Sequence, residues 1–408
     1  MKKSIIIVTF VLISISLFAD FSFFPENPAD LAQRDYSQIT IPGVSYELSL
    51  NNTFLRFDDL NLFQKGRRLS ESEKNLLTNE DITVFGNFNT SLVNFGHKNW
   101  NFSIKTLASC DIEVLEKMYT RFVFNGNESD VHYTGDNGEG SEALVFLKTS
   151  FDYAYPKPLN LGMIPGVFPS ESNNGFLSGL RDLPIYVGAN INLNYSLEYA
   201  GIVESEQHFG TLMDSTYYDI YTRFMNTDAE SSGKLSPSLG FGLKIPFYSG
   251  NFHFNIDDIF LQLQYKDLEG WIYAKSATDS LHWLQPYNET IEHVNIENDT
   301  IRTKSRTVKI NPSFTIGAEY QFFNKLDLMM RYTNDQFSYN NGFYTAAGIK
   351  LGGFPFQFGL GYRENVFFQI KTGLNFKKFE WMIGTTSYYG FFRYARGFGI
   401  QSAIRIKY

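Results

Sequence analysis

The side chains best suited to chemistry in this chain are the histidines and carboxylates of residues 276–307. Imidazole and carboxylate groups are common ligands of divalent metals, and this hydrophilic stretch contains both kinds: His282, Glu289, Glu292, His293, Glu297 and Asp299. Their intervals do not match a metal-ligand spacing. We therefore interpret the stretch as a long solvated loop, and we predict neither a metal nor another cofactor.

The common types of catalysis lack their sequence motifs here. The chain contains no Gly-x-Ser-x-Gly elbow, no His-Glu-x-x-His pair and no Walker-type phosphate loop. A hydrolase would need a histidine beside a serine, and the candidates His97, His132 and His208 are isolated. Cys110 is the single cysteine, which excludes an intrachain disulfide and a cysteine metal cluster. We predict that the chain is not an enzyme, with a hydrolase as the least favoured alternative.

Four arginines could contact an anionic ligand if the fold brings them to one surface: Arg331, Arg363, Arg393 and Arg396. Carboxylates at Asp327, Glu364 and Glu380 offer them ordinary ion pairs, and we favour that interpretation. The net charge of −8 and the lack of a Lys/Arg run argue against a nucleic acid partner.

The elements that would position these side chains are strands with one apolar face. In residues 189–199 the odd positions are apolar or aromatic, while the even positions, from Asn190 to Glu198, are polar. This alternation has the length of a tilted transmembrane strand, ~9–11 residues. Residues 309–322, 326–332 and 354–362 follow the same pattern. Residues 251–265 also alternate, but Asp257-Asp258 interrupts them and predicts a bulge.

Two short helices are predicted between the early strands. Ser70-Glu71-Ser72-Glu73 is a capping box, which marks the start of a helix. Asp111 is the candidate cap of a second helix, because Ile112 and Leu115 follow it at helical spacing.

Composition favours a β-barrel in a membrane. Aromatic residues make up 17% of the chain and charged residues only 19%, below the usual quarter. No run of 18 apolar residues follows residue 19, which excludes a helical membrane protein. We predict an all-β fold, a transmembrane antiparallel up-and-down β-barrel of about 14 strands (12 to 16), apolar outside and polar inside. A periplasmic β-sandwich or propeller is the alternative, and the lack of an internal repeat weakens the propeller.

The N-terminal residues have the layout of an export signal. Lys2 and Lys3 precede an apolar run that ends before Ala19, so residues 1–19 are predicted to be a cleaved signal peptide. A single anchor helix is the alternative, but the run is short for a span of ~20 residues. Residues 20–42 contain Pro25 and Pro28, which disfavour a central strand. We predict that they form a plug in or over the barrel, and that residues 43–408 form the barrel itself.

The C-terminal residues predict the closing strand. Ile404, Ile406 and Tyr408 alternate with Ala403, Arg405 and Lys407, so one face is apolar and the other is cationic or small. We expect this strand to pair with residues 43–57 and to close the barrel. Tyr408 is the candidate aromatic signal for the barrel-insertion machinery.

A short motif after the predicted signal peptide resembles a known family. Phe24-Pro25-Glu26-Asn27-Pro28-Ala29 is similar to the Asn-Pro-Ala signature of FadL-type outer-membrane long-chain fatty acid transporters and of PorV-like barrels. The resemblance implies an N-terminal hatch inside a barrel of about 14 strands. It also implies a monomer in outer-membrane lipid that passes hydrophobic molecules such as fatty acids. The alternative is a PorV-like barrel that transports nothing and serves as an envelope anchor or as a secretion or assembly partner.

Overall fold

A computed structural model describes most of the chain, namely residues 27–53, 55–59, 69–79, 81–118, 120–121, 132–135, 138–160, 183–211, 215–228, 231–280, 293–322, 326–335, 342–363 and 365–408. The predicted signal peptide, residues 1–19, lies outside these residues. The same is true of His282, Glu289, Glu292 and Glu364.

The described residues are dominated by antiparallel strands. In chain order the strands are β1 (Ser37–Thr40), β2 (Tyr46–Asn52), β3 (Ile82–His97), β4 (Trp100–Leu115), β5 (His132–Gly135), β6 (Glu142–Ala154), β7 (Leu159–Asn160), β8 (Pro184–Thr211), β9 (Ser215–Asn226), β10 (Ser232–Gly233), β11 (Leu235–Phe247), β12 (Gly250–Ile259), β13 (Gln262–Ser280), β14 (His293–Lys309), β15 (Ser313–Phe322), β16 (Leu326–Asn334), β17 (Gly342–Leu351), β18 (Phe354–Arg363), β19 (Asn365–Phe376), β20 (Phe379–Tyr388) and β21 (Gly397–Lys407).

These strands close into a 14-strand antiparallel barrel. The wall runs β2, β3, β4, β6, β8, β11, β12 and then β15 to β21 in order, with β1 sharing the position of β2. The ring closes where β21 pairs with β2, with Tyr46 opposite Ser402 and Asn51 opposite Gly397. The predicted all-β barrel of about 14 strands is therefore confirmed, as is the pairing predicted for the C-terminal strand.

The wall begins earlier in the chain than predicted. β1 pairs with β21, where Gln38 lies opposite Lys407, and with β3, where Gln38 lies opposite Gly96. The predicted boundary at residues 42 and 43 was therefore wrong, because Ser37–Thr40 already belongs to the wall. Gly43 adopts a left-handed φ of 73° between β1 and β2, and this break interrupts the alternation from which the boundary was read.

The two faces of the wall differ in chemistry as predicted. On β8, Ile191 and Leu193 are 58% and 48% exposed on the outer face, whereas Asn192 and Asn194 are fully buried on the inner face. An apolar outer face and a polar inner face are what lipid and an aqueous lumen require. The alternation predicted through residue 199 ends early, because a bulge at the pairing with Phe146 reverses the faces and turns Tyr199 inward.

The two rims of the barrel differ in their connections. Two-residue turns join β3 to β4, β11 to β12, β17 to β18 and β19 to β20, on the rim where the Tyr408 nitrogen bonds to the Ser37 oxygen. At the other rim the sheet continues beyond the wall, since the far half of β8 pairs with β9, and β13 pairs with both β9 and β14. Short turns are typical of the periplasmic rim and long connections of the outer rim.

The long loop predicted for residues 276–307 was therefore wrong for residues 276–280 and 293–307, while residues 281–292 lie outside the described residues. β13 and β14 pair from Gln262 opposite Lys309 to Ser276 opposite His293. A strand that extends beyond the lipid needs no apolar face, so its sequence shows none of the alternation that identifies a wall strand.

The first of the two predicted helices is confirmed. Helix α1 spans Glu71–Leu77, and the Ser70 hydroxyl accepts a hydrogen bond from the Glu73 nitrogen while the Glu73 carboxylate accepts one from the Ser70 nitrogen. The predicted helix start at Asp111 was wrong, because Asp111 lies in β4 opposite Phe85. Short 3-10 helices span Pro28–Gln33 and Phe392–Tyr394. Within the described ranges no helix has the length and apolar character needed to cross a membrane.

Candidate functional site

The Asn27-Pro28-Ala29 motif lies inside the barrel. The Asn27 side chain accepts a hydrogen bond from the Ala29 nitrogen at 2.9 Å and so caps the 3-10 helix Pro28–Gln33. Its amide nitrogen donates to the Leu243 oxygen at 2.8 Å and to the Phe254 oxygen at 3.3 Å. A carboxamide both accepts and donates, so this one side chain shapes the turn and attaches it to β11 and β12.

Two glycines in the wall make room for this turn. Gly188 of β8 lies opposite Gly242 of β11. A Cβ atom on Gly188 would lie 2.4 Å from the Pro28 carbonyl carbon, and one on Gly242 would lie 2.0 Å from Asn27 Oδ1. Such contacts are shorter than van der Waals packing allows, so the motif fits only where the inner face of the wall has no side chains.

Ion pairs attach the same segment to two wall strands. Asp30 Oδ1 lies 3.0 Å from Lys244 Nζ and 3.6 Å from His253 Nδ1. His253 Nε2 lies 3.2 Å from Glu319, which also accepts a hydrogen bond from Asn251 at 2.7 Å. The segment 27–34, called the plug below, is therefore connected to β11 and β12 by the ion pairs of Asp30 as well as by the Asn27 contacts, and to β15 only through His253.

A cavity of about 290 Å³ lies beside the plug. Its lining includes Asp30 and Arg34 from the plug, and Lys244, Glu319, Met329, Met330, Arg331 and Arg405 from the wall. The cationic side chains outnumber the carboxylates, and the Arg331 guanidinium also lies 5.2 Å from the Tyr344 ring centroid. This cavity can accommodate an anionic group next to a small apolar surface.

An apolar cluster fills the lumen towards the outer rim. Leu144 and Phe146 of β6 pack with Leu261, Leu263 and Tyr265, and each of these side chains is at most 4% exposed. Burial raises the pKa of the Tyr265 hydroxyl, so the group stays neutral in this cluster. We call this cluster the cap.

A polar cluster lies in the lumen beneath the cap. Lys148 Nζ lies 2.7 Å from Asp257 Oδ2 and 2.8 Å from Asp258 Oδ1. The Asn192 amide donates to Asp257 at 2.9 Å, and the Ser238 hydroxyl donates to Asp258 at 3.0 Å. The bulge predicted at the two aspartates is confirmed, because the β11–β12 register shifts opposite them and Asp258 has a φ of 56°.

Sequence analysis did not identify this polar cluster. Its members come from β6, β8, β11 and β12, and Lys148 is 110 residues from Asp258. The one available signal was the acidic pair within an otherwise alternating strand, which was read only as a bulge. A bulge that carries two carboxylates into a lumen needs a cation nearby.

Among the four arginines singled out from the sequence, Arg331, Arg393 and Arg396 do not form one site, and the side chain of Arg363 lies outside what the structure describes. Arg331 lines the cavity beside the plug, whereas Arg393 is exposed in the Phe392–Tyr394 helix. The Arg396 side chain donates to the Thr53 oxygen. Glu380 pairs with Arg405 at 3.3 Å and with Lys407 at 3.2 Å, so this carboxylate forms lumen ion pairs with cations other than the four arginines.

Of the predicted candidates for catalysis, His97 lies at the end of β3, whereas His132 and His208 lie on the paired strands β5 and β8, with His208 opposite Thr134. His97 Nδ1 lies 2.6 Å from the Ser37 hydroxyl at the short-turn rim, and His132 contacts the Tyr217 hydroxyl. In the described part of the chain no carboxylate hydrogen-bonded to His97 is found, so the third member of a triad is not in evidence there. Nor do the described residues place three His, Cys, Asp or Glu side chains together as metal ligands.

The C-terminal residues expected to direct insertion lie at the closing seam. Ile406 and Tyr408 are 42% and 58% exposed and Ile404 is half-buried, while Arg405 is 4% exposed towards the lumen. This places the apolar positions on the lipid side of the strand. Recognition of these three residues by the insertion machinery stays a prediction.

Comparison with known proteins gives similarity at the level of architecture. No protein-family model matches the chain, and no curated protein matches it. The toluene transporter TodX of Pseudomonas putida is 10% identical over 97% of this chain and 94% of its own, with a TM-score of 0.41. A FadL homologue of Pseudomonas aeruginosa is 10% identical over 95% and 94%, with a TM-score of 0.40. The monoaromatic hydrocarbon channel CymD is 10% identical over 96% and 94%, with a TM-score of 0.42.

Similarity this low bears on neither the ligand nor the site residues of the chain. What these solved structures share with it is the general arrangement of a barrel. In that architectural sense the chain resembles the FadL-type hydrocarbon transporters.

Proposed function

We propose that this protein is a plugged outer-membrane channel for small hydrophobic molecules that carry an anionic group, with fatty acids as the representative class. The observation that supports this proposal most is the position of the Asn27-Pro28-Ala29 turn, which occupies the lumen beside a cavity instead of completing the wall. A segment attached to the wall by side-chain contacts can be displaced while the barrel stays intact.

The chemistry of the cavity supports an anionic head group. Lys244, Arg331 and Arg405 line it together with Met329 and Met330. Guanidinium and ammonium groups pair with carboxylates, and methionine side chains adapt to apolar ligands of irregular shape. A volume of about 290 Å³ is at the lower end of ligand pockets, about 300–1,000 Å³.

The plug contacts are weak enough for a ligand to compete with them. A hydrogen bond contributes ~0.5–1.5 kcal/mol net to stability, and Asn27 makes two to the wall. A ligand carboxylate that attracts Lys244 would also weaken the Asp30–Lys244 pair, because both anions would share one cation. Ligand binding and plug displacement are thereby coupled.

Uptake of a fluorescent fatty acid by intact cells tests the proposal. Cells producing the protein are expected to take up the probe faster than cells without it, and Asn27→Ala is expected to change the rate several-fold. Asn375→Ala is the matched control, since Asn375 is a buried asparagine that does not line the plug cavity. All variants must first show heat-modifiable gel mobility, which reports a folded barrel.

A protein that folds but neither binds the fatty acid in detergent nor raises uptake contradicts the channel proposal. The result would favour the second candidate, a non-transporting barrel that anchors an envelope partner. The observation in favour of that candidate is the filling of the lumen by both plug and cap. Co-purification of a stable envelope partner with the full chain would support it.

A further inference from the structure

We propose that the lumen has a second gate, separate from the plug, and that Lys148, Asp257 and Asp258 form its latch. This inference rests on the proposed channel function and adds a barrier to it. The gate consists of the chain that follows Asp258 and the cap that this chain carries.

The latch spans several strands of the wall. Lys148 belongs to β6 and the two aspartates to β12, with β8 and β11 between them. Neighbouring strands are about 4.8 Å apart, so the two ends of the latch start about 14 Å apart along the wall. The side chains meet inside the lumen, where Asn192 and Ser238 of the intervening strands also bind the aspartates.

The latch fixes the point at which the chain leaves the wall. Asp258 and Phe260 adopt left-handed φ values of 56° and 69°, which turn the chain away from the direction of β12. The Ile310 nitrogen then donates to the Leu261 oxygen at 3.2 Å, and the Ser236 hydroxyl donates to the Gln262 oxygen. The residues after the latch are therefore hydrogen-bonded to β11 and to Ile310, which follows β14.

The cap is carried by these residues. Leu261 and Leu263 are at most 1% exposed and pack in one cluster with Phe146 of β6. Phe146 and Lys148 lie on the same inner face of β6, so cap and latch contact the same strand at successive inward positions. Breaking the latch would release the cap from the wall.

The space below the latch adjoins the plug cavity. A second cavity of about 130 Å³ is lined by Lys148, Asp257 and Asp258. It shares Asn255, Thr315 and Arg331 with the cavity beside the plug. The two cavities therefore adjoin each other, and the latch lines the one that the plug does not line.

The charges of the latch make it sensitive to the loss of one side chain. Lys148 is 8% exposed and Asp258 is 5% exposed, and one cation serves two carboxylates. Removing the ammonium group leaves two buried like charges side by side, which repel each other and are poorly hydrated. The two aspartates are then expected to separate and to draw the following residues away from the lumen.

Conductance of the purified full chain in planar lipid bilayers with potassium chloride tests the gate. The plug variant is Asn27→Ala with Asp30→Ala, and the latch variant is Lys148→Met. Each variant alone is expected to conduct little, whereas the two combined are expected to raise conductance at least tenfold. Replacing Lys148→Met in the combination by Lys148→Arg should return the conductance to that of the plug variant.

The matched control combines the plug variant with Lys371→Met, which removes another buried cation of the wall that lines neither cavity, and should behave as the plug variant alone. Asp257→Asn with Asp258→Asn is the second latch variant, in case Lys148→Met does not fold. A plug variant that conducts as well as the combination overturns the second gate and leaves the channel proposal standing. If folded combined variants with either latch change stay closed, both the gate and the channel proposal are contradicted.

Discussion

The two ends of the lumen are closed by different interactions. At the short-turn rim, the plug is attached by hydrogen bonds from Asn27 to wall oxygens and by the Asp30 ion pairs. At the outer rim, the cap is a cluster of fully buried side chains such as Phe146 and Leu263. A buried side chain of this size contributes ~1.5–3 kcal/mol, whereas each plug hydrogen bond contributes ~0.5–1.5 kcal/mol.

The difference indicates which closure moves more readily. The plug is a short turn whose polar contacts can be replaced by water or a ligand, and its buried apolar side chains are the small set Pro28, Ala29 and Leu31. The cap is built into strands of the sheet, and its apolar contacts have no equivalent in water. The comparison therefore predicts that plug variants alter access to the lumen, while cap variants alter the stability of the fold.

The largest effect is expected from a deletion in the cap. Phe146→Ala removes a ring that is fully buried, and a substitution of this kind costs ~3–5 kcal/mol. Unfolding in urea from lipid vesicles would measure the loss. Phe151→Ala is the control on the same strand, since Phe151 is 48% exposed on the outer face. Equal losses from both variants would contradict the existence of a packed cap.

A smaller effect on stability but a large effect on the plug is expected from Gly242→Val. The new side chain would overlap Asn27, so the plug should leave its position while the barrel stays closed. Faster cleavage of the plug by an added protease, with unchanged heat-modifiable mobility, would measure this. Leu243→Val changes the next residue and should leave cleavage as in the unaltered chain. If the plug of Gly242→Val stays protected from the protease, the space left by Gly188 and Gly242 is not what holds the plug in place.

A weaker displacement is expected from Asp30→Asn. The change removes the pair with Lys244, in which the two side chains are 31% and 12% exposed. Partly exposed pairs contribute ~1 kcal/mol at most, so protease cleavage of the plug should accelerate less than fivefold or so. High salt should reduce the difference between this variant and the unaltered chain, because screening weakens the pair. A salt-independent difference would assign the effect to another contact.

The smallest effect on either closure is expected from Ser70→Ala. This change removes the cap of α1 and costs that helix ~1 kcal/mol. Faster amide exchange within Glu71–Leu77 would measure the local loss. Urea unfolding and plug cleavage should stay as they are, because α1 contributes to neither closure. A change in plug cleavage would indicate that the two closures are coupled through the rim.

Local patterns in the sequence were sufficient for the wall. The alternation of residues 354–362 and of the C-terminal strand predicted which side chains face lipid, and the Ser70 capping box predicted α1. Each of these patterns depends on residues only a few positions apart. The predictions were wrong where the alternation of apolar and polar residues did not show which surroundings each face of a strand meets. Strands beyond the lipid carry polar side chains on both faces, and the polar stretch 276–307 was therefore taken for a loop.

The candidate site was predictable only in part. The motif Asn27-Pro28-Ala29 and its place before a barrel could be read from the chain, and the prolines indicated that it was not a central strand. The place where the motif packs against the wall could not be predicted, because Gly188 and Gly242 become neighbours only when β8 pairs with β11. The latch between Lys148 and Asp258 could not be predicted for the same reason, because three strand pairings separate β6 from β12.

The sequence alone predicted the barrel, its two chemically distinct faces and the pairing of its last strand with residues 43–57. It did so because side chains of a strand alternate with a period of two, so that residues close in sequence reveal which solvent each face meets. The tertiary structure alone decided how the lumen is filled. Plug, latch and cap each depend on which distant strands become neighbours and on where the wall lacks side chains, and neither property is written in any short stretch of the chain.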